Sequence, residues 1–175
     1  MPLLIQRATA ADAMPIALLS RQSFYDTFVA FNSAEDMDKF MRESFSVEKL
    51  VGEFDLPGNI FLAAMMEGEL AGYAKLCESD NPPGLGSARA IEISRIYAGK
   101  NSIGKGVGKA LMEECLLLAA AMQKDTIWLG VWEHNERAIN FYKKFGFERF
   151  GEHPFVLGND VQTDWLMKKS IEPNS

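Results

Sequence analysis

Two rhythms of apolar residues alternate along this chain, one with a period of two that reads as strand and one of three to four that reads as helix. Leu3-Leu4-Ile5-Gln6-Arg7 is a short strand. Thr9 followed by Asp12 has the spacing of a capping box and opens a helix carrying Ile16, Leu19, Phe24 and Phe28. Pro15 is tolerated only in a first turn, which moves the helix start toward Asp12. Ser33 with Asp36 repeats the pattern before a helix bearing Met37, Phe40 and Met41. Ser46 caps a short third helix containing Leu50, Val51 and Phe54. Phe24, Tyr25, Phe28 and Phe31 read most simply as core, with pocket lining as the other reading.

Asn59 to Met66 and Leu70 to Cys77 are strands joined through the hairpin residues Glu67-Gly68-Glu69. The loop Asp80 to Gly86 separates them from an apolar strand, Ile91 to Tyr97. Beyond a glycine cluster, Val107, Leu111, Cys115, Leu118 and Met122 mark one face of a helix starting near Val107. Thr126 to Trp132 is a buried strand, and Asn135 to Phe145 a helix with Asn135 as N-cap and Gly146 as its stop. Two strands, near Phe147 to Leu157 and Gln162 to Lys168, close the chain. This order predicts a single domain over residues 1–170 with a short tail, 171–175, and a mixed sheet of the α/β (α+β) class. Its central β-α-β unit requires a right-handed crossover between parallel strands. A ligand is expected at the ends of those strands, by the helix N-terminus.

Composition narrows the functional classes. The chain has 175 residues, 47% apolar and 24% charged, enough for one core that buries roughly 70% of the unfolded surface. A net charge of −6 argues against a nucleic-acid partner; it attracts cationic ligands mildly or serves only solubility. No apolar run approaches the roughly 18 residues of a membrane helix, and MPLLIQRAT does not read as a signal peptide. A cytoplasmic location without membrane association is therefore expected. Cys77 and Cys115, the only cysteines, read as free thiols of a reducing compartment, and no spacing of metal ligands is found.

Chemistry concentrates in Ile91 to Lys109. Gly104, Gly106 and Gly108 bare backbone amides at a helix N-terminus, where unpaired N–H groups and the helix dipole favour a phosphate. A dinucleotide fingerprint needs glycine where Lys109 stands, or glycine or alanine where Leu111 stands. A triphosphate loop needs Ser or Thr where Ala110 stands. Both nucleotide readings fail.

The element order, this loop and the stretch Asn135-Glu-Arg-Ala-Ile-Asn-Phe-Tyr-Lys-Lys-Phe-Gly-Phe147 together resemble the GNAT superfamily of acyl-CoA-dependent N-acyltransferases. The family loop, Gln/Arg-x-x-Gly-x-Gly/Ala, falls on Ile103 to Gly108, with Ile103 in place of its polar first residue. The resemblance implies a GNAT-like sheet of about seven strands, mostly antiparallel and flanked by helices, with a splayed parallel pair that binds the cofactor. It implies acetyl-CoA as co-substrate, its pyrophosphate on the amides of Gly104, Lys105, Gly106, Val107, Gly108 and Lys109; the missing ligand spacing leaves no metal expected. The pantetheine arm would pair with the backbone of Ile96, Tyr97 and Ala98, as an added strand pairs with a sheet edge. Asn135 would contact that arm and Tyr142, seven residues on and on the same helix face, would lie by its sulfur. A homodimer is the family habit.

Amine acetylation needs a base, because an alkylammonium with a pKa near 10.4 is no nucleophile. Glu92 is the candidate, directly or through water: a glutamate does this in the histone-acetylating branch, with the same offset to the loop glycine. Amides of Ile96 or Tyr97 are candidates for the oxyanion, and the Tyr142 hydroxyl for protonating the leaving thiolate. His134 reads as a loop residue and His153 as a pocket residue. Ser94-Arg95-Ile96-Tyr97 and the run His153 to Met167 look like the bacterial spermine/spermidine acetyltransferase subgroup. Glu133, Glu152, Asp160 and Asp164 fit the polyamine that this subgroup implies, or a soluble surface. A small amine or a peptide N-terminus is the other acceptor class, and a non-catalytic acyl-CoA-binding module the other functional class.

Overall fold

The computed structural model describes residues 2–87 and 89–172, so part of the tail expected after residue 170 lies outside the described residues. The strands are β1 (Leu3–Arg7), β2 (Asn59–Met66), β3 (Glu69–Cys77), β4 (Ala90–Ala98), β5 (Thr126–Trp132), β6 (Glu148–Leu157) and β7 (Asp160–Ser170). They form one sheet in the order β1-β2-β3-β4-β5-β7-β6. Among these neighbours β4 and β5 run parallel and every other pair is antiparallel. The helices are α1 (Ala13–Phe28), α2 (Ala34–Glu43), α3 (Val47–Gly52), α4 (Val107–Ala121) and α5 (Glu136–Lys144).

Local chemistry sets most of the boundaries. The Asp12 carboxylate accepts from the Thr9 N–H at 2.9 Å, which seats a 3-10 turn (Ala10–Asp12) ahead of α1 and puts Pro15 in its first turn. Ser33 and Ser46 accept from the N–H groups of Asp36 and Lys49, satisfying free donors of α2 and α3. Glu67 and Gly68 both have positive φ, 56° and 79°, the geometry of a tight turn between β2 and β3. Phe54 lies past the end of α3, in a 3-10 turn (Glu53–Asp55), and stacks on Phe61.

Two apolar layers cover the sheet. On one face α4 and α5 bury Val107, Leu111, Met112, Cys115, Ile139 and Tyr142 against Ile91, Ile93, Ile127 and Leu129. On the other, Phe24 and Phe28 of α1 pack with Phe40, Phe45, Leu50, Trp132 and Leu157. Tyr25 and Phe31 stand outside this core, 44% and 62% exposed, so the aromatic group read as one cluster divides in two. Arg21 donates to the carbonyls of Met41 (2.8 Å) and Phe45, tying α1 to the end of α2 and the turn after it. The tip of the β6–β7 hairpin docks on α2, where the Asn159 N–H reaches the Asp36 carboxylate at 2.9 Å. No helix among the described residues is long and apolar enough to cross a membrane.

Candidate active site

The sheet opens at one register position. β4 pairs with β5 from Ala90–Thr126 to Ile93–Leu129 and no further, although β4 runs on to Ala98 and β5 to Trp132. On the other edge of β4, Arg95 faces Lys75 and Ile93 faces Leu76, which leaves Ser94 without a counterpart. An extra residue bends its strand. The bend falls where β4 leaves β5, so the β5-facing backbone groups of Ser94 to Ala98 have no strand partner.

The helix that follows points its free end into this opening. Gly104 and Gly106 have φ of 84° and 81°, a conformation that L side chains rarely adopt. From Gly106 onward, the first backbone N–H to find an acceptor is that of Ala110, on the Gly106 carbonyl at 3.0 Å. The amides of Gly106, Val107, Gly108 and Lys109 are thus free at the positive end of α4. The Lys105 N–H is spent on the Ser102 carbonyl at 3.2 Å. Close packing fixes the helix in place: a Cβ on Gly72 of β3 would lie 2.5 Å from the Tyr97 carbonyl oxygen and 2.7 Å from Val107 Cγ1.

A cavity of about 660 Å³ joins the opening to the space under α1 and α2. At one end are Gly104, Gly106 to Lys109, Asn135 and Arg137; at the other are Phe24, Phe28, Phe40, Phe45, Trp132, Phe155 and Asp164; Ile93 to Ala98 and Tyr142 lie along the same lining. Free amides with two basic side chains make the first end fit an anion. Asn135 caps α5 through its Oδ1, which accepts from the Ala138 N–H at 3.2 Å, and lines the cavity as well. Tyr142 is 8% exposed. Burial, reinforced by the nearby Cys115, raises its phenol well above the ordinary value, so the hydroxyl stays protonated.

Of the residues expected at the site, Ile96, Tyr97, Ala98, Gly104, Gly106, Val107, Gly108, Lys109, Asn135 and Tyr142 share this cavity. Glu92 and Lys105, also expected at the site, are not among the residues that line it. Glu92 faces Trp128 across β4–β5, below the point where the strands part, and its carboxylate accepts from the Cys77 thiol at 3.1 Å and the Ser79 hydroxyl at 3.0 Å. Burial and this contact with Glu92 push the Cys77 thiol up to about 11, and both cysteines are free. His134 contacts Glu133 at 3.1 Å and is exposed, as a loop residue would be. His153 stands 3.9 Å from Asp164.

Sequence reasoning missed the ionic group centred on Glu53, whose member Arg95 lines the cavity. Arg95 donates to both oxygens of Glu53 at 2.7 and 2.5 Å, Lys75 approaches the same carboxylate at 3.2 Å, and the Arg95 guanidinium lies over Phe45 at 5.4 Å. Partners so far apart in sequence leave no local pattern. Gly130 was also missed, though a glycine inside a buried strand signals close approach. Among the described residues no group of three or more His, Cys, Asp or Glu side chains gathers in a form that could hold a metal.

Known proteins resemble this chain in sequence and in fold. A model of the acetyltransferase (GNAT) family matches residues 21–147. An uncharacterised N-acetyltransferase of Lactobacillus delbrueckii subsp. lactis, in the pepI 3′ region, is 42% identical over 167 residues, covering 95% of this chain and 96% of that one. A probable spermine N(1)-acetyltransferase of Bacillus subtilis subsp. natto is 32% identical over 95 residues, 51% of this chain and 59% of its own. The crystal structure of the PaiA N-acetyltransferase of Thermoplasma acidophilum in complex with coenzyme A has the same fold, with TM-score 0.74 and 23% identity over 97% of this chain and 99% of that one. With its parted parallel strands, glycine loop and family match spanning most of its length, the chain belongs to the acetyltransferase (GNAT) family and is an N-acetyltransferase.

Proposed function

We propose that this chain transfers the acetyl group of acetyl-CoA to a primary amine by direct attack within a ternary complex. The observation that carries this reading is the single cavity joining an anion seat to an aromatic chamber through the opening at Ile93–Leu129. The amides of Gly106 to Lys109, with Lys109 and Arg137, would hold the pyrophosphate. Backbone groups of Ile96, Tyr97 and Ala98 would pair with the pantetheine amides, and Asn135 would steady the same arm. Bound there, acetyl-CoA supplies an activated acyl group. The Tyr97 or Ile96 amide would stabilise the developing oxyanion, and the protonated Tyr142 hydroxyl would protonate the departing thiolate. Neither cysteine is needed as a nucleophile. Cys115 is fully buried, and Cys77 contacts Glu92, outside the cavity.

The acceptor is read from the far end of the cavity. Aromatic faces attract an ammonium, and among the described residues Asp164 is the one carboxylate of the lining. One carboxylate matches one ammonium with an apolar body. A polyamine acceptor draws support from the net charge of −6 and from the spermine acetyltransferase relative, which matches half of this chain. Free thiols fit a cytoplasmic setting.

Initial rates over a grid of acetyl-CoA and amine concentrations test the mechanism. Intersecting reciprocal plots are expected for direct attack, and parallel lines would mean an acetyl-enzyme. A panel running from benzylamine-like monoamines to spermidine and spermine separates the acceptor classes by kcat/KM.

A further inference from the structure

We propose that Asp164 receives the proton of the acceptor amine and that His153 behind it carries that proton to solvent. The proposal rests on the acetyltransfer reading above and names the base that it lacks. Glu92 is hydrogen-bonded to Cys77 and Ser79 below the point where β4 and β5 part, and does not line the cavity. Asp164 does line it. On β7 it faces Trp132 of β5 and His153 of β6, so the three side chains share one rung and one face of the sheet. Its side chain is 18% exposed, while that of His153, at 3.9 Å, is 44% exposed. The pair thus runs from the cavity wall to solvent. Gly130 makes room for it: a Cβ there would meet Asp164 Oδ2 at 3.5 Å and His153 Nε2 at 3.6 Å.

The charged and titratable groups around Asp164 are few. His153 faces it from β6, Arg95 and Tyr97 share the cavity from β4, and Tyr142 does so from α5. Arg95 is occupied by Glu53, and burial keeps both tyrosines protonated through the neutral range. Neighbouring α1 and α2 present aromatic rings rather than charge. Burial also lifts the Asp164 carboxyl above the ordinary range, with His153 pulling the other way, which makes it a better proton acceptor near neutral pH.

The step balances. Asp164 takes one proton from the ammonium, and the freed nitrogen lone pair forms the C–N bond at the thioester carbonyl. The C–S bond breaks, the thiolate takes a proton from Tyr142, and Tyr142 recovers one from the acylated nitrogen. Asp164 returns its proton through His153 to water. One ammonium and one thioester give one amide, one thiol and one released proton.

The test compares the unaltered chain with Asp164→Asn, His153→Gln and Glu92→Gln, measuring acetyl-CoA affinity by calorimetry and kcat/KM for the best amine from pH 6 to 10. Asp164→Asn should bind acetyl-CoA as before and lose on the order of 10²-fold in kcat/KM at neutral pH. The loss should shrink steadily as pH rises toward the amine's own pKa, because solution then supplies the neutral amine. A fluorinated analogue already neutral at pH 7 should erase most of the difference, and His153→Gln should show a smaller loss of the same pH form. A loss equal at every pH would make Asp164 merely structural and overturn the proposal, as would the pH-dependent loss appearing in Glu92→Gln instead. If Asp164→Asn fails to bind acetyl-CoA, the pH form of His153→Gln decides. No amine-dependent thiol release by the unaltered chain at any pH would overturn the acetyltransfer reading itself.

Discussion

Ile93 and Leu129 are the last facing pair of the parallel strands β4 and β5. Below them the strands are hydrogen-bonded core; above them Ser94 interrupts the β3–β4 register and the strands part. The interrupted register, the free α4 amides and the aromatic chamber all meet just above this pair. The proposed reaction depends on a place where regular pairing stops.

The upper half of β4 is held against α4 by the absence of a side chain at Gly72. A methyl there would meet the Tyr97 carbonyl oxygen and Val107 Cγ1 well inside van der Waals contact. Gly72→Ala is expected to cost about 2 kcal/mol or more, since backbone must move. It should weaken acetyl-CoA binding as well, because α4 carries the amide seat. Thermal unfolding and calorimetry check both effects; an unchanged affinity would mean that α4 does not form the seat.

Glu53 holds two cations, and its side chain is only 21% exposed. In Glu53→Gln, Arg95 and Lys75 would face each other across a neutral amide. Removing one partner of a buried pair leaves uncompensated charge; scaled down for partial exposure, the expected loss is roughly 2–3 kcal/mol. That corresponds to a fall in Tm of about 4–12 °C for a chain of this size. A shift below about 2 °C would show that water already screens the cluster.

Asp164 gives a prediction in stability that is independent of turnover. Its carboxyl is raised in the folded chain, chiefly by burial, so folding favours the protonated form. That contribution is present below the ordinary carboxylate pKa and is lost as pH rises through the raised value. Asp164→Asn should therefore raise Tm at neutral pH, with the gain fading as pH falls below the ordinary Asp range. A Tm that drops at neutral pH would contradict this.

Tyr142→Phe removes a hydroxyl from the cavity and leaves the ring packed among Phe141, Phe147 and Cys115. Turnover is expected to fall on the order of 10²-fold with acetyl-CoA affinity largely kept. Unchanged turnover would remove the acid role.

How much of this was legible in the sequence depends on the range of the interaction. Ser33, Ser46, Asn135 and the turn at Glu67-Gly68 act within a few residues, and each was readable from its spacing. The glycine loop was readable for the same reason, because what it presents is its own backbone amides. The bulge at Ser94 was not, since it exists only as a mismatch with Lys75 and Leu76 on another strand. Glu92 illustrates the consequence: its distance along the chain from the loop glycine fits a base, but its carboxylate is held below the opening by Cys77 and Ser79. Asp164 was readable as a carboxylate suited to a cationic acceptor and His153 as a pocket residue, but their pairing follows only from the β6–β7 register.

In the proposed reaction one cavity both seats acetyl-CoA and delivers its acetyl group to an amine. The most direct measurement titrates the unaltered chain with acetyl-CoA in a calorimeter and then follows free thiol while the amine panel is added. Saturable binding at one site per chain, followed by thiol release that depends on amine and yields the acetylated amine by mass, is the predicted result. Saturable binding with no amine-dependent release would contradict it and leave a non-catalytic acyl-CoA-binding module.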